Sequence, residues 1–395
     1  MSNPQFPFAA RMDGLSGSAI REIFKLLRLP GMISFAGGNP APEALEEAVI
    51  TDVAQHVMSQ DGKAILQYGP TEGYGPLRVR LCDWLRGFGF SPTTEEVLPI
   101  TGSTQGIDLV CKALVDPGDA VLVENPTFLG ALQTLRLYQA NIVPVVSDEN
   151  GIIVQALEEA MRKYRPKLLY IIPTFQNPTG VTLAEDRRAP IAALAEKYGV
   201  LVLEDDPYRD LRYAGRPMPA IKGYDQAGWV AHLSSFSKTI APGLRCGALS
   251  ADEGLIRKLA ICKQSVDVHT STLTQAVVSE YLARRLLPGH LADIRKLYAA
   301  RLAAMLEALA AWPEGTRYTT PLGGLFVWVR LPGGMDASEL LSRAVEKGVA
   351  FVPGSHFYCQ DAQADTLRLN FSNSEPDKIR RGMAVLQELI REMPG

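Results

Sequence analysis

Between residues 97 and 235 the sequence keeps returning to one pattern: a short apolar run, a polar or glycine-rich turn, then apolar residues spaced by three and four. "VLPITG" (97–102), "AVLVENP" (120–126), "KLLYIIP" (167–173), "VLVLEDD" (200–206) and "WVAHLSS" (229–235) read as strands. Ile107, Val110, Cys111 and Leu114 share one helical face, as do Leu157, Ala160, Met161 and Tyr164, and then Ile191, Leu194, Ala195 and Tyr198. Ser103 is expected to cap the first of these helices and Gly199 to close the last, which Pro190 either starts late or kinks. Strands that are apolar throughout and alternate with helices predict a mostly parallel sheet covered on both faces, an α/β fold. Ligands of such sheets bind beyond the carboxyl ends of the strands. Those ends carry "TGSTQ", "ENPTF", "PTFQNPTG", "EDDPYRD" and "SSFSK", five turns that converge on one edge.

Composition removes several classes of function. The chain has 395 residues and a formal charge of −3, so no polycationic surface for nucleic acid or anionic membrane is expected. No apolar run reaches the length of a bilayer span, and "MSNPQFPFAARMDGLSG" lacks the basic and apolar regions of a secretory signal, so a cytoplasmic protein is expected. Cysteines 82, 111, 246, 262 and 359 have no CxxC spacing and read as reduced thiols. Histidines 56, 232, 269, 290 and 356 are scattered, and no metal site is expected. From about residue 290 a long helix is predicted to Ala311, leading to strands within 323–331, 348–354 and 366–372 and a last helix over 376–392.

Chemistry concentrates in "SSFSKTIAPGLRCG" (234–247). The hydroxyls of Ser235 and Ser237 and the guanidinium of Arg245 form a phosphate-binding set. Lys238 in their midst points to a Schiff base with a phosphorylated aldehyde cofactor. Pyridoxal phosphate needs a carboxylate that keeps its ring nitrogen protonated, and Asp205 ends the strand "VLVLEDD". Tyr208 and Asn177 can donate to the ring oxygen, and "GST" (102–104) opens a helix whose N–H groups suit a phosphate.

With "ISFAGGNP", "LQYGPTEGYGPLR", "ITGSTQGIDL", "ENPTF", "IIPTFQNPTG", "EDDPYRDLRY" and "LRLNFS", in that order, the chain resembles fold type I pyridoxal-phosphate-dependent aminotransferases of class I/II. Within them it is most similar to the branch of 2-aminoadipate, kynurenine, aromatic and multi-substrate aminotransferases. The resemblance runs from about residue 18 to 372. It implies a large cofactor domain (46–290) with a mostly parallel seven-stranded sheet between helices, and a smaller α+β domain from 291–395 completed by the segment 1–45.

The resemblance also assigns roles. Lys238 matches the Schiff-base lysine that shuttles the substrate proton, Asp205 the partner of the ring nitrogen, and Asn177 and Tyr208 the partners of the ring oxygen. Ser103, Thr104, Ser235, Ser237 and Arg245 match the phosphate cup, and Phe128 the aromatic stacked on the ring. Arg368 matches the clamp on the substrate α-carboxylate, with Gly38 as a backbone group near it. An arginine inside an apolar strand is costly unless paired, which independently favours a ligand role for Arg368. Tyr68 matches a tyrosine that reaches the phosphate of the neighbouring subunit, implying a homodimer with shared sites. Arg21 matches a position that can face the substrate side chain and would then favour acidic ones. Where "EDDPYRD" offers two acids, Asp205 keeps the three-residue spacing to Tyr208 and is preferred over Asp206.

The implied reaction is ping-pong amino transfer between an L-amino acid and a 2-oxo acid such as 2-oxoglutarate. A C–S lyase running β-elimination would use the same residues. A cofactor-binding regulatory domain would need a DNA-binding module, for which the motifs starting within the first forty residues leave no room.

Overall fold

A computed structural model of the protein describes residues 6–12 and 31–393. Its central sheet has seven strands: β1 (Val97–Ile100), β2 (Ala120–Glu124), β3 (Asn141–Val145), β4 (Leu168–Ile171), β5 (Leu201–Asp205), β6 (Val230–Ser235) and β7 (Gly247–Ser250). Their spatial order is β1-β7-β6-β5-β4-β2-β3. The five strands from β6 to β3 run parallel, and β7 alone runs antiparallel to both its neighbours. Two antiparallel steps restore the direction, so β1 points the same way as β6. The carboxyl ends of β1, β2, β4, β5 and β6 therefore share one edge, as the turns implied. The short run "GALS" of β7 was not foreseen; with four residues after a turn it carries almost no periodic signal.

Strand residues alternate between two cores, as the pleat demands. Val121, Val123, Leu168, Tyr170, Leu201, Leu203, Ala231 and Leu233 enter the larger core, and Leu122, Leu169, Ile171, Val202 and Val230 the other. On the first face lies helix α1 (Ser103–Leu114), where Gly106 sits so close to Leu233 that a Cβ would lie 2.4 Å from its Cδ2. Helices α2 (Val154–Tyr164) and α3 (Glu185–Tyr198) supply Leu157, Met161, Ile191 and Ala195 to the second. Tyr164, expected on the buried stripe, is 39% exposed, because α2 ends there in a left-handed Arg165. Pro190 lies inside α3, which starts before it at Glu185. Gly199 closes α3 in the left-handed region, as expected (φ 63°).

Helix α4 (Leu287–Leu309) leads to a four-stranded sheet of β8 (Arg317–Tyr318), β9 (Phe326–Arg330), β10 (Val352–Pro353) and β11 (Thr366–Asn370), in the order β8-β9-β11-β10. Helix α5 (Pro376–Glu392) packs along α4. Residues 33–34 pair in parallel with 349–350, tying the amino-terminal segment to the carboxyl-terminal part. All five cysteines are free. No helix among the described residues is long and apolar enough to cross a membrane.

Candidate active site

A cavity of about 380 Å³ opens at the shared strand edge. Lining it are Gly38, Ser103, Thr104, Phe128, Asn177, Asp205, Tyr208, Ser235, Ser237, Lys238, Arg245 and Arg368. Tyr68 lies outside it, 83% exposed, with its ring edge-on to His269 at 6.1 Å. Arg21 falls outside the described residues.

Lys238 follows β6 on a turn pinned by the buried Phe236, whose N–H donates to Cys246 and whose carbonyl accepts from Ile240 and Ala241. The ammonium donates to the Gly38 carbonyl at 2.8 Å. Burial, followed by the nearby Arg245 and Arg368 cations, lowers its pKa to about 8.

Asp205 shares a strand face with Leu201 and Leu203, the face that carries Tyr170 on β4. The Tyr170 phenol donates to Asp205 Oδ2 at 2.8 Å, while Oδ1 has no partner. Burial pushes the carboxyl up to about 6; the Tyr170 hydrogen bond, and after it Ser103, resist the rise. The pleat turns the flanking acids away. Asp206 pairs with Arg209 at 3.0 Å, and Glu204 accepts the N–H groups of Ile221 and Lys222. Asp206 and Glu204 meet His232 on that far side, a buried trio that the scattered histidines gave no hint of.

Ser103 is not a cap. Gly102 takes that position with φ 84°, and Ser103 becomes the first helical residue, its hydroxyl near Asp205 but short of a hydrogen bond and so unpartnered. A Cβ on Gly102 would lie 2.5 Å from Arg245 Nη2, so only glycine lets the guanidinium approach the helix start. Arg245 reaches Thr101 O at 3.1 Å and Ser237 Oγ at 3.4 Å, and Ser235 Oγ accepts from the Ser237 N–H at 3.2 Å. Two hydroxyls, a guanidinium and the open N–H groups of a twelve-residue helix thus surround one corner of the cavity.

At the opposite wall, β11 alternates Leu367 and Leu369 into the core and sends Arg368 into the cavity. Arg368 donates to Asn177 Oδ1 at 2.9 Å and to the Ala36 carbonyl, and lies over the rings of Phe326 and Phe357 at 4.3 and 4.9 Å. It has no carboxylate partner among the described residues, and its Nε is unpaired. Burial lowers its pKa to about 10. Asn177 turns its amide to Tyr208 Oη at 3.5 Å, and the Tyr208 phenol is held neutral, chiefly by burial. Tyr170 and Phe326 were not foreseen as site residues, because each sits in an apolar run that reads as core.

Residues 30–386 match the family described as aminotransferase class I and II. The chain belongs to that family. This aminotransferase is 41% identical to aromatic-amino-acid aminotransferase 1 of Thermococcus litoralis, over 98% of its own length and 94% of the relative's. It is 39% identical to the 2-aminoadipate transaminase of Thermus thermophilus, over 95% and 94%. Among solved structures, a Pyrococcus horikoshii kynurenine aminotransferase in complex with PMP superposes with a TM-score of 0.94 at 41% identity, covering 98% of this chain and 97% of that one. The aminotransferase has the fold type I architecture and depends on pyridoxal phosphate.

Proposed function

We propose that this aminotransferase moves an amino group between an L-amino acid of the aromatic or 2-aminoadipate kind, or a broader range, and a 2-oxo acid such as 2-oxoglutarate. Arg368 carries this reading: a buried guanidinium without a carboxylate partner among the described residues, aimed into the same cavity as Lys238 and Asp205. A buried unpaired cation is costly, and a substrate α-carboxylate in bidentate contact relieves it.

The cavity fits the cofactor on two counts. Ser235, Ser237, Arg245 and the open N–H groups at the start of α1 form a donor set suited to a phosphate, and Asp205 Oδ1 is a buried orphan suited to a ring N–H. When bound, pyridoxal phosphate supplies an aldehyde and a cationic ring that draws electrons from the substrate Cα. Ser103, Thr104, Ser235, Ser237 and Arg245 would hold its phosphate, and Phe128 would cover its ring. Asp205, with a pKa of about 6, is mostly anionic at pH 7 and keeps the ring nitrogen protonated. Asn177 and Tyr208 orient the ring oxygen. Lys238, whose pKa burial lowers to about 8, has a usable neutral fraction and would take a proton from the substrate Cα at Nζ and deliver it to the cofactor's aldehyde carbon. The Gly38 carbonyl accepts from Nζ at 2.8 Å and would hold the amine while it is not bonded to the cofactor.

The exposed Tyr68 supports a homodimer in which it reaches the partner's phosphate. Arg21, outside the described residues, matches a position that can face the substrate side chain. In this reading 46–290 is the cofactor domain and 291–395 the small domain of a cytoplasmic enzyme, with 1–45 contributing to the small domain and the substrate site. The test is spectroscopic: single amino acids are added to the holoenzyme and conversion of the cofactor to its amine form is followed. Conversion by aromatic or 2-aminoadipate donors, reversed by 2-oxoglutarate, is expected. No conversion by any common amino acid overturns the proposal, as does release of pyruvate and ammonia from cysteine conjugates in its place.

A further inference from the structure

A second cavity, of about 310 Å³, shares no lining residue with the first. Its wall presents Arg209, Arg212 and Arg295 against a single acid, Asp210. Burial raises the Asp210 pKa, while Arg209 and Arg295 oppose the rise. Behind the wall, Arg188 is wholly buried and spends its donors on neutral oxygens, the carbonyls of Pro173, Leu183 and Pro219 and the Thr174 hydroxyl. The buried acids Glu204 and Asp206 act on its charge from the other side, and Thr174 lines the cavity in front of it.

The three lining arginines are differently employed. Arg209 is committed, to Asp206 at 3.0 Å and the Met218 carbonyl at 2.7 Å, with its guanidinium over Phe88. Arg295 uses only Nε, on the Asp210 carbonyl at 2.6 Å. Arg212 lies on the Phe175 ring at 4.7 Å and has one long contact, Nη1 to the Ala214 carbonyl at 3.5 Å. Among the described residues, neither Arg212 nor Arg295 forms a salt bridge, so two guanidiniums face the cavity with unspent N–H groups. Burial lowers the Arg212 pKa, and so do Arg188, Arg209 and Arg295, against the opposing pull of Asp206. Like charges held together at a half-buried wall are unfavourable until an anion joins them.

We propose that this cavity is a binding site for a small dianion of the phosphate or dicarboxylate kind, gripped by the free N–H groups of Arg212 and Arg295. Guanidinium forks match both shapes in bidentate fashion. The site is separate from the cofactor's phosphate cup and from the Arg368 clamp.

Calorimetric titration of the holoenzyme, whose cup is filled, tests the site at fixed ionic strength with inorganic phosphate in one arm and malonate in the other. Saturable binding is expected in at least one arm, and the arm that responds assigns the class of ligand. Arg212→Gln and Arg295→Gln should each weaken it about tenfold, while Arg368→Lys leaves it unchanged. Arg295→Gln carries the test alone if Arg212→Gln does not fold. Absence of saturable heat in both arms overturns the proposal. So does binding that survives both glutamine variants, or that is lost in Arg368→Lys.

Discussion

Tyr170 donates its phenol proton to Asp205 from the neighbouring strand at 2.8 Å, which leaves the other carboxylate oxygen free to face the cavity. One bond thus does two things: it orients the acid and keeps it charged against the pull of burial. Tyr170→Phe removes the donor, so the Asp205 pKa must rise from about 6. Expected is a shift of the acidic limb of the kcat/KM profile to higher pH, with about a tenfold loss at pH 7 and less at pH 8.5. A uniform loss at all pH values would mean that Tyr170 acts by packing alone.

Among the described residues that line the cavity, Lys238 carries the one side-chain amine. Lys238→Ala should still hold the cofactor through the phosphate cup, yet lose turnover by about four orders of magnitude or more. Cofactor content by absorbance and single-turnover rates measure the two effects separately.

Arg368→Lys keeps the charge and loses the fork. With bidentate contact gone, KM for the amino donor should rise by about two orders of magnitude, roughly 3 kcal/mol, while cofactor affinity stays within a factor of about two. Steady-state kinetics and a cofactor titration check this, and parallel losses in both would place Arg368 on the cofactor instead.

Tyr68 protrudes from a single chain, 83% exposed beside His269, and in the proposed homodimer it would meet a second copy. Light scattering should report a dimer. Tyr68→Phe should weaken cofactor binding about tenfold without dissociating it, since one hydrogen bond to a charged group is removed.

Arg188 is a stability element. Its guanidinium satisfies three buried carbonyls that join the strand-end loops 173 and 183 to residue 219. Arg188→Ala should cost about 3–5 kcal/mol, through unpaired carbonyls and a cavity, and lower the melting temperature by several degrees. Differential scanning calorimetry of the holoenzyme measures it.

Some of this was legible without coordinates. Apolar runs and spaced stripes announce the strands and helices because each signal is local, and a turn residue such as Gly199 announces backbone that other residues adopt at a cost. Arg368 could be singled out because a cation in an apolar strand needs a partner. Tyr170 could not, since a tyrosine in "KLLYIIP" reads as core until a carboxylate is known to stand on the next strand. The meeting of His232 with Glu204 and Asp206, and that of Arg212 with Arg295, were equally invisible.

Sequence alone determined the periodicity, the turn chemistry and the order of motifs, and with them the α/β class and the residue types at the strand ends. Tertiary structure decided which of those residues touch. It inserted antiparallel β7 between β1 and β6, set Asp205 and Asp206 on opposite faces, freed Ser103 from capping, and brought Arg295 to the arginines after β5. The reason is range: periodicity and turns arise from neighbours in the chain, whereas strand order and register arise from burying both faces of one sheet at once.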